Sequence, residues 1–257
     1  MNIDETIQRL IDMKLHTLAK ALREMLDLPP DRHLSFEDRM GLLVDQEWTD
    51  RENRKVARRI KEARLSVRAA PEEIACDSAR GLDKPVLRDL MTCQWIRSHL
   101  NVIAVGPTGI GKSFLAAALA QAACRQGYRA LFLRVPRLLE QLAIARASAS
   151  YSALLARMAK IDVLVLDDFL LAPMTDVERR DLLEVLEDRY GKSSTIITSQ
   201  LPTKTWHEAI GDPTIADAIC DRLVHNAHSL SLRGPSMRRQ KAVKPQPEAQ
   251  PNPETTP

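Results

Sequence analysis

The sequence predicts an α/β protein in which a parallel sheet is sandwiched by helices, preceded by a small all-helical N-terminal domain. Three observations predict it. From about residue 86 onward, short runs that are apolar throughout alternate with helical stretches, and such strands belong to a sheet covered on both faces. A phosphate-loop motif stands between the first of these runs and a helix. The residues before position 70 instead carry apolar groups at helical spacing.

Residues 3–27 repeat apolar groups at Ile3, Ile7, Leu10, Leu18, Leu22 and Met25 with charges between them, the pattern of an amphipathic helix that Pro29-Pro30 ends. Ser35-Phe36-Glu37-Asp38 reads as a helix start, with Ser35 as cap and Asp38 in the box position, leading into Met40, Leu43, Val44 and Trp48. A third helix carries a basic strip. From Arg51 to Arg68 there are eight basic residues against two acids. The strip is a candidate contact for a phosphate backbone, with a solvated helical face as the alternative. Pro71 and the irregular stretch to Lys84-Pro85 read as a linker into the second domain. The expected division is therefore 1–70, 71–240 and a Pro-rich disordered tail over 241–257, where five prolines interrupt any periodicity.

In the second domain the apolar runs are 102–105, 130–133, 163–166 and 195–198, with helical stretches over 113–126, 136–159 and 176–190. After the first run comes Gly106-Pro107-Thr108-Gly109-Ile110-Gly111-Lys112-Ser113, which fits G-x-x-x-x-G-K-[ST]. Its glycines let backbone N–H groups turn around a polyphosphate, Lys112 places a charge on the β/γ-phosphates, and the Ser113 hydroxyl is a Mg²⁺ ligand. The helix that follows aims its positive end at the same phosphates.

The run 163–166 ends in Asp167-Asp168, about 55 residues after Lys112, where a P-loop ATPase keeps its second acidic motif. Asp167 is the expected Mg²⁺ holder and Asp168 the group that deprotonates the attacking water, a pair of helix-capping carboxylates being the alternative. Aspartate in the second place departs from the more common glutamate, and its shorter reach favours slow turnover. The run 195–198 delivers Ser199-Gln200 to the same carboxyl edge, where ligands bind in open α/β folds. Either side chain is a candidate for contacting the γ-phosphate or water; a polar turn before Pro202 is the competing reading. Arg222, between Asp221 and Leu223, is a candidate for reaching the γ-phosphate of a neighbouring subunit, against a surface ion pair.

Composition bounds the rest. With 44% hydrophobic and 28% charged residues over 257 positions, the chain has enough apolar material for one main core plus a small one. Its apolar runs fall short of a bilayer span, and Met1-Asn2-Ile3-Asp4-Glu5 lacks the basic start of a signal peptide, so a cytoplasmic protein with no membrane association is expected. Cys76, Cys93, Cys124 and Cys220 have no metal-ligand spacing and support no disulfide framework.

Several further strings combine with these motifs: Leu34-Ser35-Phe36-Glu37-Asp38-Arg39, Arg51-Glu52-Asn53-Arg54, Ala63-Arg64-Leu65, Leu166-Asp167-Asp168-Phe169, Thr198-Ser199-Gln200-Leu201-Pro202, Trp206-His207, Gly211-Asp212-Pro213-Thr214, Asp221-Arg222-Leu223-Val224-His225 and Gly234-Pro235-Ser236-Met237-Arg238. Together, over roughly residues 5–239, the chain resembles the IstB family, AAA+ ATPase helpers of insertion-sequence transposition that are similar to the DnaC helicase loader. The resemblance implies an AAA+ P-loop ATPase that takes ATP and Mg²⁺, forms a homo-oligomer, binds and deforms duplex DNA, and recruits or stimulates a transposase, an IstA-like integrase. It implies that Lys112, Ser113 and Asp167 hold nucleotide and Mg²⁺, that Asp168 is the catalytic acid, that Arg222 is a trans-acting arginine finger, and that Arg238 lies near the nucleotide or a subunit junction. The chain ends soon after Arg238, so the separate helical lid of many AAA+ proteins is expected to be missing. Two other classes compete. A DnaC-like loader would use ATP as a switch on a replicative helicase, although the 199–202 and 206–207 stretches favour the transposition branch. A small-molecule kinase would need an acceptor pocket and lid, for which the sequence offers no candidate. Residues near Cys76–Leu90 are candidates for adenine contact by position alone.

Overall fold

The structure is a computed structural model that describes residues 2–27, 34–74, 76 and 78–237. The expectations on Pro29-Pro30, on Arg238 and on the tail 241–257 fall outside those residues. The chain divides into two compact units, one up to Lys61 and one from Glu62 on.

The first unit contains α1 (Ile3–Asp12), α2 (His16–Asp27) and α3 (Phe36–Glu62). The helix expected over 3–27 is two helices. The chain breaks at Lys14, whose φ of 61° is left-handed, and the Leu15 N–H reaches back to the Leu10 carbonyl. In contrast, the second and third expected helices are one, because no glycine or proline interrupts Leu42 to Glu62. Its start is the predicted box. The Asp38 N–H donates to Ser35 Oγ at 3.1 Å and the Ser35 N–H to Asp38 Oδ2 at 3.2 Å. Glu47 joins α3 to α2. It is buried, accepts the Leu18 N–H at 2.9 Å and pairs with Arg51 Nε at 2.6 Å, while Thr17 Oγ1 donates to Asp50 at 2.8 Å. Arg51, Arg54 and Lys55 of the basic strip thus have acidic partners on their own helix, Glu47, Asp50 and Glu52. Arg58, Lys61, Arg64 and Arg68 are exposed.

In the second unit a five-stranded, all-parallel sheet has the order β2-β3-β4-β1-β5, formed by β1 (Asn101–Val105), β2 (Ala130–Arg134), β3 (Val163–Phe169), β4 (Ser194–Ser199) and β5 (Ala227–Ser231). Strands β1, β3 and β4 are buried almost throughout, as apolar runs under two helical layers must be. The edge strand β5, Ala-His-Ser-Leu-Ser, buries only Leu230 and was not foreseen. Around the sheet run α4 (Lys84–Met91), α5 (Gln94–Arg97), α6 (Lys112–Arg125), α7 (Val135–Ala147), α8 (Tyr151–Ala159), α9 (Asp176–Arg189), α10 (Trp206–Ile210) and α11 (Pro213–Val224). The stretch expected as one helix over 136–159 is interrupted at Ala149, where φ is 54°, so α7 and α8 are separate. Helix α6 is the central one. Its buried alanines 116, 117, 118, 120, 122 and 123 let it lie close on the sheet.

Two buried polar residues fasten the amino edge of this sheet. Asn101 donates to the Arg222 and Leu223 carbonyls and accepts the Thr195 N–H at 2.9 Å. The Arg189 guanidinium donates to the carbonyls of Met158, Ile161 and Ser194, and its burial pushes its pKa down to about 10. The capping box Thr175/Glu178 starts α9, and Asp212 caps α11.

Burial pushes the Glu47 carboxyl up, but the Leu18 N–H and Arg51 outweigh it and hold the group below its ordinary 4.5. Its contribution to stability is complete above that ordinary value and is lost as pH falls through the lower, folded value. Glu47→Gln is therefore expected to lower the unfolding midpoint at pH 7, with the gap to the parent closing as pH falls below 4.5. Circular dichroism over that fall in pH checks it; a gap that does not change with pH would refute the assignment.

Candidate functional site

In a parallel sheet all carboxyl ends share one edge, so Gly106, Arg134, Asp167-Asp168 and Ser199-Gln200 gather there. Val105 leads directly into the loop 106–111, and Lys112 is the first residue of α6. Gly106 has φ 152°, and a Cβ there would lie 2.4 Å from the Leu232 carbonyl oxygen, so no larger residue fits. Lys112 is buried. Its Nζ donates to the carbonyls of Gly106 at 2.7 Å and Pro107 at 2.9 Å, folding the ammonium into its own loop.

Asp167 is the centre of the site's hydrogen bonds. It is 4% exposed, and its Oδ1 accepts from Ser113 Oγ at 2.8 Å and from Thr198 Oγ1 at 2.5 Å. A hydroxyl and a carboxylate this close form a donor set suited to a hard divalent cation that also binds phosphate oxygens and water. Among the described residues no group of three or more His, Cys, Asp or Glu side chains could hold a metal.

Strand β3 slips by one residue against β4 at this point, between Leu166 and Phe169. Such a bulge re-aims side chains. Asp168 takes φ 59° and donates its N–H to Thr198 Oγ1 at 3.2 Å. Its carboxylate turns to Arg134 at the end of β2, with Nε at 2.8 Å and Nη2 at 2.7 Å from Oδ2. Left-handed backbone at a non-glycine residue costs about 1–3 kcal/mol and persists where surrounding contacts hold it.

The remaining candidates separate. Ser199 is fully buried; its hydroxyl donates to the Phe169 carbonyl at 2.8 Å and accepts the Leu201 N–H at 3.1 Å. That hydroxyl fixes the strand end, and Gln200 is the exposed member of the pair. Trp206 is core rather than site: it packs edge-on against Phe169 at 4.7 Å between centroids and donates to the Leu201 carbonyl at 3.0 Å. Arg222 is not at this edge. Its carbonyl is held by Asn101, the first residue of β1, while the phosphate loop follows the last. The Arg222 guanidinium pairs with Glu187, donates to the Ala218 carbonyl at 2.8 Å and lies 5.8 Å from the Tyr190 ring centroid. The surface ion pair weighed as its alternative therefore exists within one chain, and Arg222 holds Glu187 below the usual carboxylate range.

Sequence reasoning missed Thr198 and Arg134. Thr198 sits inside an apolar strand, where a β-branched residue reads as core. Arg134 had a usable signal, being the polar residue that ends the run 130–133 at the edge where Asp167 also emerges.

Residues 8–245 match the protein family described as IstB-like ATP binding protein. The chain is 47% identical over 234 residues to an insertion sequence ATP-binding protein of Sinorhizobium fredii, covering 91% of this chain and 96% of that protein. It is 45% identical over 206 residues to the ATP-binding protein of insertion sequence IS1162 from Pseudomonas fluorescens, covering 80% and 89%. Among solved structures, the DnaC helicase loader superposes with a TM-score of 0.54 at 19% identity, covering 64% of this chain and 97% of that one. DnaI does so at 0.54 and 19%, covering 65% and 92%. These likenesses establish the P-loop AAA+ fold.

Thr198→Val keeps the volume of the side chain while removing the donor to Asp167 and the acceptor of the Asp168 N–H. It is expected to destabilise the protein by about 1–3 kcal/mol, the cost of leaving buried polar groups unpaired. Denaturant unfolding measures this, and a midpoint equal to that of the parent would remove Thr198 from the site.

Proposed function

The chain belongs to the IstB-like ATP-binding protein family, a family of AAA+ P-loop ATPases, and from that premise we propose that it is an ATP-dependent, DNA-binding helper of transposition. In this reading it assembles as a homo-oligomer on duplex DNA, deforms it, and recruits or stimulates a transposase, an IstA-like integrase. The observation that carries the oligomeric mechanism is the placement of Arg222 and the phosphate loop at opposite edges of one sheet. A chain built this way completes its site with the arginine of a neighbour, in a head-to-tail contact. The two relatives described above are insertion sequence ATP-binding proteins, which supports the transposition setting.

The residues take these roles. The Gly106–Gly111 backbone cradles the phosphates, and Lys112 exchanges the Gly106 and Pro107 carbonyls for the β/γ-phosphates. Ser113 and Asp167 would hold Mg²⁺, which when bound would supply positive charge against the phosphates. Thr198 fixes Asp167. Asp168 accepts the proton of the attacking water once it leaves Arg134, and Gln200 orients that water or contacts the γ-phosphate. Arg222 of the adjoining protomer stabilises the transferred charge. Arg238, next in sequence to Met237, whose N–H donates to the Gly109 carbonyl, is assigned to the nucleotide or the junction. Residues 1–70 form the DNA- and partner-binding domain and 71–240 the ATPase domain. DNA is held mainly through phosphates by Arg58, Lys61, Arg64 and Arg68, so that binding weakens steeply with salt.

ATP hydrolysis with and without long duplex DNA tests the reading. DNA is expected to raise turnover, and Lys112→Ala and Arg222→Ala each to lower it at least about 100-fold. Because they fail in different halves of a shared site, mixing the two inactive variants is expected to restore part of the activity. Turnover that ignores DNA and survives loss of Arg222 would place the whole site in one subunit. Capture of a replicative helicase instead of a transposase would move the assignment to a DnaC-like loader.

A further inference from the structure

The phosphate loop is gripped from outside its motif by two segments distant in sequence. Residues Ser78–Arg80 form a short 3₁₀ turn, and from its end Arg80 Nη2 donates to the Ile110 carbonyl at 2.7 Å and to Met237 Sδ at 2.9 Å. The Met237 N–H donates to the Gly109 carbonyl at 2.9 Å, and the Arg233 N–H to the Arg80 carbonyl at 2.9 Å. The approach is close. A Cβ on Gly109, where φ is 82°, would lie 2.3 Å from Ser236 Oγ.

These contacts fix which way two consecutive peptide groups face. Among the described residues no peptide bond is cis, and a trans peptide sets its C=O and N–H on opposite sides. The Gly109 carbonyl faces Met237, so the Ile110 N–H faces away from it; the Ile110 carbonyl faces Arg80, so the Gly111 N–H faces away likewise. Since Arg80 and Met237 touch each other, both N–H groups are turned from the same side. Among the described residues neither N–H has an acceptor. Successive N–H groups turned to one side form a concavity for an anion.

We propose that Arg80 is a positioning residue for nucleotide binding: by holding the Ile110 carbonyl outward, with Met237 doing the same for Gly109, it keeps the Gly111 and Ile110 N–H groups aimed at the bound phosphates. The proposal rests on the phosphate-loop reading above. Arg80 acts through the loop backbone, so its loss weakens ground and transition states alike.

The test compares Arg80→Met, which keeps a long stem without donors, Arg80→Lys, which keeps one donor, and Lys112→Ala, all in the full chain. A fluorescent ADP analogue reports the Kd, steady-state ATP hydrolysis the KM and kcat, and thermal melting the fold. Arg80→Met is expected to raise Kd and KM about tenfold, as loss of a charge-assisted hydrogen bond would, with kcat within about twofold. Arg80→Lys is expected to recover affinity to within about threefold of the parent. The Arg80→Met effect should be the same at 0.05 M and 0.5 M salt, because a contact is not screened; an effect that vanishes at high salt reduces Arg80 to a distant attracting charge and overturns the proposal. Unchanged Kd in Arg80→Met, or a lost melting transition in both Arg80 variants, overturns it too, the latter in favour of a purely structural role. If Lys112→Ala also binds the analogue like the parent, the phosphate-loop reading itself fails; if only Lys112→Ala loses binding, the loop reading stands and the role of Arg80 falls.

Discussion

One buried carboxylate organises this molecule. Asp167 accepts from Ser113 and Thr198 through a single oxygen, and those residues stand at the start of α6 and near the end of β4. A charge taken out of water is costly unless hydrogen bonds satisfy it, so the two hydroxyls cannot drift without exposing that cost. The tie fixes where α6 begins, and with it the phosphate loop that ends at its first turn. The one-residue slip of β3 against β4 follows at the next position. Its consequence is that two adjacent aspartates, which a regular strand would send to opposite faces, are both anchored through Thr198.

Much of this was legible in the sequence because the signals were local. Four strands showed as apolar runs, since a strand covered on both faces has no polar alternation to confuse it. The fifth, 227–231, is an edge strand that buries only Leu230, so no apolar run marks it, and pairing with β1 defines it. Helix boundaries failed where one residue decided them. Lys14 and Ala149 adopt left-handed backbone that nothing in their side chains announces, while the joined helix 36–62 lacked any breaker at the place where its surface changes from apolar to basic. In the site, the motif residues were legible and their partners were not. Thr198, Arg134 and Arg80 come to the loop and its acids by tertiary contact from other strands and turns, and no spacing rule encodes that.

Charge counting misled in a similar way. The strip 51–68 reads as strongly basic, yet Arg51 and Arg54 serve the first unit's own packing through Glu47 and Asp50. Glu47 is the deciding partner because it is buried and also closes the first turn of α2 by accepting the Leu18 N–H. A phosphate competing for Arg51 would have to leave that carboxylate uncompensated, whereas the exposed Lys61, Arg64 and Arg68 are not among the partners of Glu47. In the proposed reading the charge offered to a nucleic acid therefore lies toward the end of α3 and beyond it, not at its middle.

The same reasoning applies to Arg222. On the proposed mechanism it must leave Glu187 to meet a neighbour's phosphate, and the cost of leaving decides whether this is feasible. Glu187 is more than half exposed, with its side chain at 55%, and water re-solvates such a carboxylate readily; pairs of this kind contribute about 0–1 kcal/mol. The hydrogen bond to the Ala218 carbonyl is one turn back on the same helix and orients the side chain without neutralising it. A γ-phosphate carries more charge than Glu187 and would sit in a junction shielded from water, where a charge-assisted contact is stronger. On that mechanism the exchange would run toward the neighbour while phosphate is present and back to Glu187 once it has gone. That asymmetry would let hydrolysis loosen a head-to-tail junction. It also explains why a residue so central to the proposed chemistry looks, in a single chain, like an ordinary surface ion pair.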